Sequence, residues 1–182
     1  KIKIIKILLI IMFTMFGTNV LGNYDKLAYE FTFDGIDGNK IKLLQYKNKV
    51  IVVVNVASQC GFTKQYEDMQ DVWIKYQDKG ILMLGVPSND FNQETGTNEE
   101  IKKFCESKFG ITFPMTDKVT VKGDNAHPFY KWAKNNHGNK AIPKWNFHKI
   151  IIGRDGKVID TFSSITKPTS KKFIKVIEKA LK

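Results

Sequence analysis

The chain has 182 residues, of which 42% are hydrophobic, so it is long enough for one domain with its own core and too apolar for a disordered protein. Its 29 Lys and Arg residues against 18 Asp and Glu residues give a formal net charge of +11. This charge is spread along the chain rather than gathered into a basic stripe with interleaved aromatic residues, which argues against nucleic-acid binding. Transient contact with an anionic membrane surface is compatible with it.

The first 22 residues have the layout of a secretory signal peptide. Three lysines within the first six positions flank a short apolar stretch, residues 7–16, and a segment ending at Gly22 follows. We predict cleavage after Gly22, a mature domain over residues 23–182, and export to the periplasm or the medium. The alternative is a membrane tether formed by an uncleaved signal. A stretch this short argues against it, because roughly 20 residues are needed to span a bilayer.

The mature region alternates strand and helix patterns, with no repeat, linker or low-complexity tract. Strand patterns and hairpin signals occupy residues 31–33, 40–43, 50–54, 81–86, 150–152 and 158–162. Helical patterns occupy residues 66–78, 98–108, 128–135 and the segment from Ser170 to Leu181. An N-terminal β-hairpin followed by this order of elements is that of an α/β thioredoxin-like layer sandwich.

Cys60 stands between a strand pattern and a helix pattern. The polar segment 55–63 follows the buried strand at 50–54 and leads into a helix near Tyr66. A thiol in such a place lies in the positive field of backbone N–H groups without helical partners, and this field favours the nucleophilic thiolate. Cys60 is therefore a candidate reactive thiol, with a merely buried cysteine as the alternative.

Cys105 is the second cysteine of the chain and falls within the helical pattern at 98–108. In an exported protein two cysteines can form a structural disulfide, although two are too few for a disulfide-rich scaffold. A redox pair is the competing interpretation.

The histidines and the acidic loop residues indicate no further chemistry. His127, His137 and His148 are separate from one another and predict structural or surface roles rather than a metal site. Asp90 and Glu94 suit solvation and capping of a loop, and no paired-carboxylate mechanism follows from them.

Three segments together carry a family resemblance: 55–63, 84–94 and 145–149. In this order and at these separations they closely resemble the glutathione peroxidase family, from about residue 29 to the C-terminus. The resemblance implies a thioredoxin fold, with a central mixed β-sheet flanked by helices, and thiol-based reduction of hydrogen peroxide and of organic or lipid hydroperoxides. It implies no cofactor, and it makes Cys60 the peroxidatic residue, which would pass through a sulfenic acid.

Gln93, Trp145 and Asn146 match the polar residues that surround the reactive atom in this family. Their amide and indole N–H groups are neutral donors, able to stabilise a thiolate without binding it in an ion pair. The chain departs from the family in one place, since a single residue separates Phe91 from Gln93 where many members have two. The alternatives are an exposed loop amide for Gln93 and a core aromatic for Trp145.

The setting of Cys105 resembles that of the resolving cysteine in non-animal, thioredoxin-dependent members. The resemblance implies an intramolecular disulfide with Cys60, recycled by a thioredoxin-like reductant. Because a strand end and a helix do not bring two sulfurs within bonding range, we expect the Cys105 helix to unwind locally during turnover. A buried, inert Cys105 is the alternative.

A short connection at residues 137–144, where tetrameric relatives carry an extra loop, predicts a monomer with an open active site that accepts lipid hydroperoxides. Two other functions remain open at this point. One is a peroxide-sensing relay that passes oxidation from Cys60 to a client protein, and the other is a one-cysteine peroxidase that uses glutathione.

Overall fold

The computed structural model describes residues 24–182. The signal-peptide prediction falls on residues outside this range, so cleavage and export stay predictions. Within it, no helix is both long enough and apolar enough to cross a membrane. The strands are β1 (Thr32–Asp34), β2 (Lys40–Lys42), β3 (Val50–Val56), β4 (Ile81–Pro87), β5 (Lys149–Ile152) and β6 (Val158–Phe162). The helices are α1 (Gln65–Tyr76), α2 (Asn98–Phe109), α3 (Pro128–His137) and α4 (Lys171–Ala180).

The central sheet is mixed and has the strand order β4-β3-β5-β6. β3 pairs with β4 in parallel and with β5 in antiparallel orientation, and β1 and β2 form a separate antiparallel hairpin. Every residue of β3, β4 and β5 is buried, as expected for strands covered on both faces. This arrangement confirms the predicted thioredoxin-like architecture with its N-terminal hairpin.

The two faces of β3 belong to two hydrophobic cores. Val52 and Val54 face a core completed by α1, α2 and α4, whereas Ile51 and Val53 face a second core completed by α3 and the hairpin. The alternation follows from the two-residue period of a strand. The carboxyl end of β3 therefore lies between the layer of α1, α2 and α4 and the layer of α3.

The element boundaries differ from the predicted ones by a few residues. α1 stops at Tyr76 because residues 77–79 tighten into a 3₁₀ turn, which Gly80 closes in a left-handed conformation (φ 98°). β3 extends two residues beyond the predicted range, although Asn55 is polar, because the polar side chain is buried and hydrogen-bonded. In α4, Phe173 and Ile177 are buried.

Lys149, the first residue of β5, is fully buried. Its Nζ donates hydrogen bonds to Gln65 Oε1 at 2.6 Å, to the Thr166 carbonyl at 2.7 Å and to the Ser163 carbonyl at 3.5 Å. Burial lowers the pKa of Lys149 from 10.5 to about 7, and the more distant Asp68 carboxylate counteracts the shift. The three oxygen acceptors are uncharged, so the ammonium lacks the carboxylate partner that normally accompanies a buried cation.

This burial predicts a pH-dependent stability. Between about pH 7 and pH 10.5 the unfolded chain holds a proton on Lys149 that the folded chain has lost, so the free energy of unfolding should rise with pH in this window. The slope from one such group is at most about 1.4 kcal/mol per pH unit. Urea titrations of the wild type and of Lys149→Met at several pH values above 7 test this. Equal slopes in the two proteins would contradict it.

Candidate active site

Cys60 lies in the turn between β3 and α1. Its Sγ accepts a hydrogen bond from the Phe62 N–H at 3.4 Å, and its own N–H donates to Thr63 Oγ1 at 3.0 Å. The Thr63 hydroxyl in turn donates to the Ala57 carbonyl at 2.9 Å, which closes the turn. The Cys60 residue is 8% exposed. The turn thus holds a nearly buried sulfur with a backbone donor directed at it.

The sulfur-bearing turn borders a cavity of about 370 Å³. Besides the turn itself, Lys64 and Glu67 of the following segment and Lys108 and Phe109 at the end of α2 line this cavity. A small peroxide therefore has a route to Cys60 between α1 and the last turn of α2.

Gln93 reaches the site despite the shortened loop. Its Oε1 accepts a hydrogen bond from Asn146 Nδ2 at 2.9 Å, and its carbonyl accepts one from the Gln59 N–H at 3.0 Å. The neighbouring Asn92 is in the left-handed region with φ 56°, so the chain turns within fewer residues than an ordinary loop would need. The side chain of Gln93 is thus partly buried and paired, rather than an exposed loop amide.

The 145–147 segment is fixed to the end of β3 by Asn55. Asn55 Nδ2 donates to the Trp145 carbonyl at 3.2 Å, and the Phe147 N–H donates to the Asn55 carbonyl at 2.6 Å. Phe147 has a left-handed φ of 62°, which is unusual for an aromatic residue and turns the chain sharply after Asn146. Trp145 is 42% exposed and packs on Phe91 at a centroid distance of 5.4 Å, so it is not a core aromatic.

The structure therefore pairs Gln93 with Asn146 and places Trp145 beside them, but none of the three donates a hydrogen bond to Cys60. The Phe62 N–H is the one donor to the sulfur among residues 24–182. Asn146 Oδ1 is buried and has no hydrogen-bond partner within that range. A buried polar atom without a partner is uncommon in folded proteins and is frequently found at functional sites.

The sequence predicts that Glu94 solvates and caps a loop, and the solvation part of this prediction is wrong. The residue is only 1% exposed, and its Oε2 accepts hydrogen bonds from the Ser58 N–H at 2.8 Å and the Ser58 hydroxyl at 3.1 Å. Burial raises the pKa of Glu94, while the bonds from Ser58 lower it. Because Glu94 follows Gln93 and Ser58 precedes Cys60 by two residues, this carboxylate ties the Gln93 loop to the Cys60 turn. Its polarity suggested an exposed residue, and no local sequence signal indicated burial.

Cys105 lies on the buried side of α2, is 1% exposed and is a free thiol. Burial raises its pKa to about 11; the nearby Tyr66 hydroxyl lowers it, and the charges of Glu94 and Glu106 raise it further. Cys105 borders a different cavity from Cys60, one between α2 and the β1–β2 hairpin. The two cysteines thus border different cavities in this conformation.

Comparison with known proteins identifies the family. The family model described as glutathione peroxidase matches residues 28–134. The chain is 43% identical to hydroperoxy fatty acid reductase gpx1 of Synechocystis over 149 residues, which cover 77% of this chain and 88% of the relative. It is 46% identical to glutathione peroxidase-like peroxiredoxin 2 of Saccharomyces cerevisiae over 138 residues, 73% of this chain and 85% of the relative.

The chain belongs to the glutathione peroxidase family. It is therefore a peroxidase, and its similar relatives include cyanobacterial and yeast members. Among solved structures, the apo form of Trgpx superposes with a TM-score of 0.68 at 36% identity and covers 86% of this chain and 96% of that one. A thiol:disulfide interchange protein of Chlorobium tepidum, 18% identical with a TM-score of 0.63 and covering 84% of this chain and 93% of that one, shares the thioredoxin-like fold alone.

The environments of the two cysteines predict unequal alkylation. At about pH 8, only about one Cys105 thiol in a thousand is ionised when its pKa is about 11, and α2 also covers it. Iodoacetamide should therefore label Cys60 well before Cys105 in the native peroxidase, as peptide mapping after timed quenching would show. In concentrated urea the two rates should converge. Faster native labelling of Cys105 would contradict the structure.

The Glu94 carboxylate predicts a graded response to substitution. Glu94→Ala leaves the partly buried donors of Ser58 without this charged partner and should lower the free energy of unfolding by about 1–3 kcal/mol. Glu94→Gln retains an acceptor oxygen and should lose less stability and less peroxide reactivity. Urea titration and the rate of peroxide consumption measure the two effects, with the exposed Asp71→Ala as the matched control. Equal behaviour of the alanine and glutamine variants would show that the acceptor is unimportant.

Proposed function

We propose that this peroxidase reduces hydroperoxides through a two-cysteine cycle in which Cys60 is the peroxidatic residue and Cys105 resolves it. The observation that carries the proposal is the setting of Cys60: a free thiol at the end of β3 that accepts a backbone hydrogen bond and borders an open cavity. Gln93, Trp145 and Asn146 complete the site as neutral groups beside the Cys60 turn.

In the first step the Cys60 thiolate attacks the terminal oxygen of the hydroperoxide, and the O–O bond breaks. Cys60 becomes a sulfenic acid, and the alcohol or water leaves after taking up a proton. The amide of Asn146 and the indole N–H of Trp145 are suited to stabilise the departing oxygen, because neutral donors impose no ion pair on the thiolate. For that role the Asn146 amide has to turn from Gln93 towards the reacting atoms.

In the second step the Cys105 sulfur attacks the Cys60 sulfenic acid, which forms a disulfide and releases water. The buried position and raised pKa of Cys105 require α2 to open before this attack. Ile101 and Cys105 are the buried residues of α2, and Phe104 and Phe109 are partly buried against the same core, so opening exposes the apolar side chains of one helix face. A dithiol of the thioredoxin class then reduces the disulfide by exchange and is itself oxidised.

A groove beside Trp145 supports long-chain hydroperoxides as substrates. It has a volume of about 890 Å³, and Phe62, Trp145 and Ile165 give it apolar walls. Three lysines, Lys140, Lys144 and Lys172, also line it, which suits an acyl chain with an anionic headgroup and transient contact with a membrane surface. The Synechocystis relative is named a hydroperoxy fatty acid reductase, which agrees with this substrate class.

Intact-mass analysis tests the cycle. After reduction and one equivalent of hydrogen peroxide, the protein should lose about two mass units and yield a Cys60–Cys105 linked peptide. Cys105→Ser should instead gain one oxygen at Cys60, and Cys60→Ser should not react. Oxygen gain at Cys60 in the wild type, without a disulfide, would leave glutathione or another external thiol as the resolver.

Steady-state turnover identifies the reductant and separates an enzyme from a sensor. We expect turnover with thioredoxin and thioredoxin reductase to exceed turnover with glutathione, and Cys105→Ser to lower the thioredoxin-supported rate at least about tenfold. A stable mixed disulfide with one client protein, without turnover, would favour the relay function instead. Gel filtration of the same preparation tests the proposed monomer.

A further inference from the structure

We propose that Lys149 is a positioning residue for long-chain hydroperoxides, because its buried amine holds the loop that forms one wall of the substrate groove. The inference rests on the proposed function of that groove. Lys149 does not contact the reacting atoms, since its described partners lie in α1 and in the loop that follows β6.

The loop at residues 163–166 is held from its inner side by two polar side chains. Lys149 Nζ binds the carbonyls of Ser163 and Thr166, and Gln65 Nε2 donates to the Ser164 carbonyl at 2.6 Å. Lys149 and Gln65 are also bonded to each other at 2.6 Å. Three carbonyls of a four-residue loop are thus directed towards one buried amine–amide pair.

The same loop forms a wall of the groove. Ser163, Ser164 and Ile165 line it, opposite residues such as Trp145 and Lys144. Ile165 is 81% exposed, so its side chain is available to a molecule in the groove. Because the inward carbonyls fix the backbone on both sides of Ile165, they keep its side chain outside the core and at the groove.

The buried amine is costly for the fold, which makes a purely structural role a poor explanation. A methionine or leucine would fill the space in β5 without the desolvation penalty of an ammonium group. Neither side chain could bind the Ser163 and Thr166 carbonyls, so the loop would lose its fixed shape. The desolvation cost of the Lys149 amine is therefore explained if substrate binding depends on the shape of the 163–166 loop.

Steady-state kinetics of Lys149→Met with two peroxides test the inference. Hydrogen peroxide is too small to use the groove, whereas a hydroperoxide of linoleic acid would occupy it. We expect kcat/KM for the linoleic acid hydroperoxide to fall about tenfold through KM, because the wall of the groove is no longer held in place. The value for hydrogen peroxide should stay within about twofold of the wild type. The exposed Lys42→Met on β2 is the control and should leave both values unchanged.

A second variant covers the case in which Lys149→Met does not fold. Gln65→Leu removes the bond to the Ser164 carbonyl and the acceptor of Lys149, so it should show the same split between the two substrates. Equal losses with both peroxides would overturn the inference and leave Lys149 a residue of the fold. A KM for the linoleic acid hydroperoxide that is unchanged in both variants would also overturn the inference. Absence of hydrogen peroxide reduction in the wild type would instead contradict the proposed function itself.

Discussion

The active site depends on the side chain of Asn55, the polar residue near the end of β3. Its amide donates to the Trp145 carbonyl, its oxygen accepts from the His148 N–H at 3.1 Å, and its backbone bonds Phe147 and His148. Because both side-chain groups and both backbone groups of this buried residue bond one segment, Trp145 and Asn146 are fixed relative to β3. The Cys60 turn begins from the same strand, so Asn55 holds these two residues near the sulfur-bearing turn, while the Ser58–Glu94 bonds hold the Gln93 loop there.

The two cysteines have opposite environments, and the proposed cycle needs both. Cys60 borders a cavity and accepts a backbone hydrogen bond, whereas Cys105 is covered by the core with a raised pKa. A resolving thiol that stays protonated and covered cannot react with peroxide before Cys60 does. α2 is well capped at both ends, by Thr97 and by the left-handed Gly110, so it forms readily again after it opens. Opening exposes the side chains of one helix face, Phe104 and Phe109 included, and this limits its free-energy cost.

The architecture and the location of the site could be predicted from the sequence, because both depend on local patterns. A β-branched run gives β3, and the Cys60 turn and the Trp145–Asn146 segment are continuous motifs. Glu94 and Lys149 could not be placed in this way. Charged residues are rarely buried, and what buries these two is a partner distant in sequence, Ser58 for one and the 163–166 loop for the other. The left-handed φ of Phe147 is likewise imposed by tertiary bonds rather than by its own preference.

Neutral groups make the hydrogen bonds around Cys60, whereas charged side chains line the neighbouring cavities. The groups bonded within the Cys60 turn and its polar neighbours are neutral amides and hydroxyls, and the one carboxylate among them, Glu94, is bonded to Ser58. Lysines line the two neighbouring cavities. Lys64 and Lys108 line the small cavity beside Cys60, and Lys144 lines the groove. A cation bonded to Cys60 would stabilise the thiolate but lower its nucleophilicity. Lysines at the cavities act instead through long-range fields, which reach about 10 Å at moderate ionic strength and favour anions near the site. Positive charge is thereby present around the site without an ion pair at the reactive thiol.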